Sequence, residues 1–318
     1  MLAATLASAL PALDATAAQP VYPLRPIRLI VAQSAGGTAD FVARTYTQRL
    51  TEILGQQFVI DNRPGGAGIV GTETVVNAVP DGYTLLLAPT AHAINPNFVA
   101  KLPYDTRRDV ASISLLSAGY NLLVVNQTSA MRSVGDIIAA ARAQPGRLRY
   151  ASSGAAGATH LTTELFRLMA GIDLLHVPYK GAPAALTAVI GNECDMSFGS
   201  MASALPLVRG GRLRALAITA PERWQNLPEI PTVAEAGVPG YESSSWQALF
   251  GPAKLPPAII DRLYQAIALA AKNPDTIKRL TAEGIKPLAT TPKELDTHIA
   301  RELDKWVKVT KAAGLNVH

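Results

Sequence analysis

Two stretches of small residues mix hydroxyls with glycine where a strand-like segment gives way to a helical one. They are Ser34-Ala35-Gly36-Gly37-Thr38 and Ser152-Ser153-Gly154-Ala155-Ala156-Gly157-Ala158-Thr159. The chemistry such a stretch offers is anion capture. The first N–H groups of a helix have no partner inside it and lie at its positive end. Side chains no larger than Ser or Thr leave those groups uncovered and add donors, so a carboxylate can be held without an arginine. An ordinary strand-to-helix turn favours the same residues. Two copies of one design favour a site that holds a carboxylate from both sides, or two carboxylates on one ligand.

Other constellations are weaker. Gly66-x-Gly68-x-x-Gly71 matches a dinucleotide fingerprint, which also needs an acid at the end of the next strand to hold a ribose. That strand ends Leu87-Ala88-Pro89-Thr90, with neither an acid nor an arginine. The glycines then read as residues that let the chain turn and bring a helix close to its sheet. Neither G-x-x-x-x-G-K-[ST] nor G-x-S-x-G occurs, and Ser243-Ser244-Ser245 lacks flanking glycines. His92, His160, His176, His298 and His318 show no metal-ligand spacing. Cys194 is the lone cysteine, so no disulfide forms within the chain, and it reads as a buried thiol. No catalytic group, metal or cofactor is expected.

The chain has 318 residues, 48% hydrophobic and 17% charged, enough for two α/β domains. The net charge of +5 is spread thinly, with no Lys/Arg run interleaved with aromatics, which argues against a nucleic-acid partner. Met1–Ala18 is apolar, rich in small residues and ends in an A-x-A-like run, as a secretory signal does, although no Lys or Arg precedes the apolar part. No later run is long enough to anchor the chain in a membrane.

The elements that must carry the two loops alternate. Pro26–Ala32 reads as a strand, residues 39–54 as a helix stopped by Gly55, Gln57–Asp61 as a strand, residues 69–78 as a helix and Tyr83–Ala88 as a strand. The rhythm resumes with a strand at Asn121–Asn126, a helix at 133–143 opened by Ser133 and Asp136, and a strand at Leu148–Ala151. Further strands are expected at Leu174–Pro178, Met196–Phe198 and Arg214–Ile218, with helices at 160–169, 183–190 and 203–209. Ala248–Gly251 looks like a segment returning to the first half, and long helices follow at 257–272 and 292–313. Strands alternating with helices imply mostly parallel sheets covered on both faces.

The sequence also resembles Bug-type receptors, the substrate-binding family of tripartite tricarboxylate transporters. The likeness lies in YPLRPIRLIV (Tyr22–Val31), Ala35-Gly36-Gly37, NRPGGAGIVG (Asn62–Gly71), PDGYTLLL (Pro80–Leu87), AINP (Ala93–Pro96) and LPYD (Leu102–Asp105). The second half adds HVPYKG (His176–Gly181), LRALAIT (Leu213–Thr219) and PTVAEAGVPG (Pro231–Gly240). The resemblance implies an α/β periplasmic binding protein of type II, with two lobes, two crossover strands and a ligand cleft between them. Lobe 1 would comprise residues 21–120 and 248–318, lobe 2 residues 121–247, after a signal peptide at 1–20. It further implies a monomer that meets a small organic anion and the membrane subunits of a tripartite system. By position, the family's carboxylate contacts carry over to Ser34, Gly36, Gly37, Ser152, Ser153 and Gly154, with Ala35, Thr38 and Thr159 beside them. Thr90, Ala91 and His92 occupy the place of another pocket loop. Two departures stand out. The first loop commonly reads PFPAGGGTD, and here Gln33 and Ser34 replace an aromatic and a proline. Many relatives carry Asp-Asn where this chain has Gly199-Ser200; without an acid there, a dicarboxylate or aromatic carboxylate is expected rather than an amino acid. A ligand-sensing subunit for a membrane kinase, or an exported enzyme, is the alternative.

Overall fold

The computed structural model describes residues 22–154 and 157–315; the expected signal peptide and Ala155-Ala156 of the second loop lie outside them. The chain opens with β1 (Ile27–Val31), α1 (Thr38–Leu54), β2 (Phe58–Asn62), α2 (Ile69–Val76), β3 (Thr84–Pro89), α3 (Ala91–Ile94) and β4 (Val110–Gly119). It continues with β5 (Asn121–Asn126), α4 (Val134–Ala143), β6 (Arg149–Ser152), α5 (Ala158–Ala170), β7 (Leu175–Pro178), α6 (Ala182–Ile190), β8 (Met196–Ser200), α7 (Met201–Arg209) and β9 (Leu213–Ile218). It closes with β10 (Ser245–Pro252), α8 (Pro257–Ala271), α9 (Pro274–Ala282), β11 (Ile285–Pro287) and α10 (Pro292–Ala312).

These strands form two sheets, ordered β11-β4-β10-β3-β1-β2 and β7-β6-β8-β5-β9. The same plan underlies both. Three parallel strands (β2-β1-β3, then β7-β6-β8) are followed by one running the opposite way, β10 or β5, which enters from the other half of the chain. This is the two-lobed α/β architecture expected. β10 begins at Ser245, earlier than the return segment Ala248–Gly251, and its first three residues pair with Gly119, Ala118 and Ser117 of β4.

Local sequence accounts for most elements. α1 buries Val42, Tyr46, Leu50 and Leu54 along one stripe and ends where Gly55 takes a left-handed conformation at φ 71°. α4 carries the capping box of Ser133 and Asp136. The fingerprint glycines serve packing: a Cβ on Gly71 would lie 3.0 Å from Ala32 Cα and from Arg63 O, and one on Gly68 3.0 Å from Ala32 O. They let α2 close onto the end of β1. One apolar core runs through both halves, joining Leu86 and Ala88 to Phe166 and Phe198 by way of Trp246 and Trp306. Among the described residues no helix is long and apolar enough to cross a membrane.

If α2 depends on that approach, Gly71→Ala overpacks the junction. Urea unfolding is expected to show a loss of about 1–3 kcal/mol, and an unchanged midpoint would show that the contact is slack.

Candidate ligand-binding site

In a parallel α/β sheet, ligands bind beyond the carboxyl ends of the strands. Ser34–Thr38 follows β1 there, Thr90 follows β3, Ser152 ends β6 with Ser153-Gly154 after it, and Gly199-Ser200 ends β8.

The first loop is largely exposed and partly self-satisfied. Gly36, at φ 79°, donates its N–H to Asp40 Oδ2 at 2.9 Å. The Gln33 side chain folds over Gly37 and accepts the Ala39 N–H at 2.8 Å. Gln33 thus satisfies one of the first N–H groups of α1. The Asp40 carboxylate is buried and also takes Arg44 Nε at 3.0 Å and Asn62 Nδ2 at 3.1 Å. Burial alone would raise its pKa, but the hydrogen bonds from Arg44, Gly36 and Asn62 outweigh that and hold it below the usual value.

In the second loop the hydroxyls divide their labour. Ser152 is fully buried, with its Oγ 2.7 Å from His176 Nε2 and 3.1 Å from Gly154 O. Thr159, 8% exposed, accepts the Ser153 N–H on Oγ1 at 2.8 Å and meets Ser153 Oγ at 2.9 Å. Ser152 and Thr159, expected to face a ligand, instead brace the strand-to-helix junction. The half-buried Ser153 and Gly154 are the residues left to face outward.

Two further candidate residues, His92 and Gly199, are buried. His92 is 2% exposed and lies in the first lobe's core between Tyr104 and Phe250, with Nε2 3.3 Å from Thr106 O. Burial pushes its imidazole down to about 4, so it is a neutral core group. Thr90 uses its hydroxyl to accept the Trp246 N–H at 2.8 Å, while Ala91 beside it is half-buried. Gly199 is buried too: a Cβ there would lie 2.9 Å from Leu186 Cδ2 and 3.1 Å from Ala204 Cβ. The missing side chain makes room for α6 and α7, not for a ligand.

A cavity of about 350 Å³ gathers Gly36, Gly37 and Thr38 at the start of α1 with Ser200, Met201 and Ala202 at the start of α7, beside Asn121 and Ser245 where the chain crosses between sheets. The described residues of the second loop do not line it. Met201 N–H donates to Tyr120 O at 3.1 Å, and Ser200 Oγ caps the Ser203 N–H at 3.3 Å. Among the described residues, these bonds leave the Thr38 and Ala202 N–H groups without an acceptor. Among the described residues, Glu283 is the charged residue of the lining, which contains no lysine or arginine. An anion here would find its donors in N–H groups and hydroxyls, with the Glu283 carboxylate as the opposing charge. Ser200 was expected at the site, but Met201, Ala202 and the crossover residues escaped sequence reasoning; Ser203, three positions after Ser200, was the available cue to a helix start.

Residues 42–315 match the family described as tripartite tricarboxylate transporter family receptor. The chain belongs to this family. Among curated relatives, this receptor is 33% identical to BugT of Bordetella pertussis, over 92% of this chain and 90% of that one. Among solved structures it resembles R. palustris Rpa4515 with adipate at 34% identity and TM-score 0.76, covering 94% of this chain and 100% of that one. It also resembles MatC from Rhodopseudomonas palustris with bound malate, at 28% identity and TM-score 0.69, covering 91% and 99%.

Asp40→Asn tests the bracing of the receptor's first loop. A carboxyl held below its ordinary value of 3.8 stabilises the fold fully above that value, and the contribution fades as pH falls through the lowered one. Denaturant midpoints of the variant should therefore trail the wild type at pH 7 and converge with it below pH 4. A gap that stays constant with pH would remove the charge from the explanation.

Proposed function

We propose that this receptor captures a small organic dicarboxylate in the periplasm and hands it to the membrane subunits of a tripartite tricarboxylate transporter, without catalysis. The observation that carries this reading is the convergence of two helix starts, α1 and α7, on one cavity that spans both sheets and, among the described residues, has no basic side chain. Helix starts select for anions without a counter-ion of their own. The ligands in Rpa4515 and MatC, adipate and malate, are both dicarboxylates, and this chain matches both proteins over nearly its whole length. In this reading residues 21–120 with 248–318 form one lobe and residues 121–247 the other. Closure about the crossovers brings Ser153 and Gly154 onto a carboxylate held by Ser34–Thr38 and Ser200. The leader at 1–20 directs export and is removed, and the mature chain acts as a monomer.

Titration calorimetry with adipate, malate, acetate, choline and glucose tests the ligand class. Tight binding is expected for a dicarboxylate, and binding confined to glucose or choline would overturn the reading. Ser153→Asp sets a like charge beside the carboxylate and should weaken dicarboxylate binding at least about a hundredfold with an unchanged melting temperature. Undiminished affinity in that variant would remove the second loop from the site.

A further inference from the structure

We propose that His176 is a positioning residue of the anion site: it holds the buried Ser152 hydroxyl and thereby sets Ser153 and Gly154 to face the cleft. The proposal rests on the reading that the second loop meets the ligand's carboxylate.

The Ser152 hydroxyl sits at the root of that loop. Besides His176 Nε2 at 2.7 Å it reaches both polar groups of one residue, Gly154 O at 3.1 Å and Gly154 N–H at 3.3 Å. It therefore ties the turn in which Gly154 adopts φ 139°. The segment after β7 runs alongside, with Tyr179 N–H donating to Ser152 O at 3.0 Å and Gly181 N–H to Ser153 O at 3.2 Å. The HVPYKG stretch is in this way the loop's scaffold.

The imidazole has little freedom to turn. It is stacked on His160 at 3.9 Å and 7°, and the Tyr150 ring lies near-parallel to it at 4.8 Å and 17°, the two neighbours being themselves 6.2 Å apart. Those neighbours are fixed in turn. The Tyr150 hydroxyl donates to Glu164 Oε1 at 2.5 Å, Glu164 lies 3.8 Å from His160 Nε2, and Arg167 pairs with Glu164 and Asp173 at 3.0 Å each. The groups facing His176 are thus Tyr150 and Ser152 from β6 and His160, Glu164 and Arg167 from α5. Burial first, then His160, lowers His176 to about 4. At neutral pH it is an uncharged ring that acts through its hydrogen bond and not as a counter-ion.

The test compares side chains that keep or lose a polar atom at the Nε2 position. His176→Gln reaches that position; His176→Asn stops short of it, and His176→Phe fills the slot without a polar atom. With adipate as probe, Gln should bind within about threefold of wild type, while Asn, Phe and Ser152→Ala should each bind about tenfold more weakly, the scale of one hydrogen bond. The double variant His176→Phe/Ser152→Ala should be no weaker than Ser152→Ala alone, because that change already removes the contact with His176. A purely structural role predicts that affinity follows melting temperature in all of them; that outcome, or additive losses in the double variant, overturns the proposal. The backbone amide NMR shifts of Ser153 and Gly154, recorded without ligand, supply an independent readout. They should move in the Phe variant and return in Gln, and unchanged shifts overturn the proposal. If wild type binds no adipate, the functional reading is in question, while these shifts still decide the role of His176.

Discussion

Ser245 pairs with Gly119 and Trp246 with Ala118 where β10 meets β4, and the relation between the two sheets depends on that antiparallel contact. Both passages of the chain between the halves lie at this spot. Tyr120 alone separates β4 from β5, and Ser243 reaches the crossing with its N–H on Thr219 O at 3.1 Å. Thr219 in turn accepts the Asn121 N–H on its hydroxyl at 2.9 Å. On the α10 side, Glu302 accepts both indole N–H groups, from Trp246 at 2.9 Å and Trp306 at 3.0 Å, and pairs with Lys305. A buried carboxylate would be costly alone. Burial pushes its pKa up, yet Lys305, Trp246 and His298 pull the balance below the ordinary value, so it stays charged and gains from each donor. The returning strand is thereby fixed to α10 as it enters the first sheet.

With that edge fixed, the loops at the strand ends are held by internal bonds before any ligand arrives. Asp40 occupies Gly36 N–H, Gln33 occupies Ala39 N–H, and Thr159 occupies Ser153 N–H. Each bond removes a donor from the inventory that a ligand could use. Each also spares the ligand the entropy of ordering the loop. Many competent donors are reduced to a few in fixed positions, as geometric selectivity for a carboxylate requires.

Periodicity and punctuation made much of the fold legible. The helix over α1, the strands β1, β3, β5 and β9, and the cap of α4 follow from residues next to one another. β4 did not. Val110–Gly119 is ten residues of mixed Ser, Ala, Ile and Leu, buried almost throughout, with no alternation to mark it and one residue before the next strand. The site was half legible for a related reason. Strings of small residues locate a strand-to-helix turn, but orientation belongs to the tertiary fold. Ser152, Ser153 and Thr159 look equivalent as residues; the stack of His176 on His160, against which the Ser152 hydroxyl rests, is formed by β7 and α5.

Position 199 carries the same lesson into selectivity. As a sequence, Gly199 suggests an enlarged cleft lacking an acid. In space a Cβ at this position would crowd Leu186 and Ala204, so the glycine is bound up with how α6 and α7 pack behind β8. The acid that lines the cavity is Glu283, from the C-terminal segment, and Gly284 beside it lies against the Met201 side chain at the start of α7. Charge at the site is thus governed where the C-terminal segment meets the second lobe, in residues some eighty positions from the glycine that first draws the eye. A substitution at 199 would act on the cleft through α6 and α7, and so through the height of the α7 start, before it acted through charge.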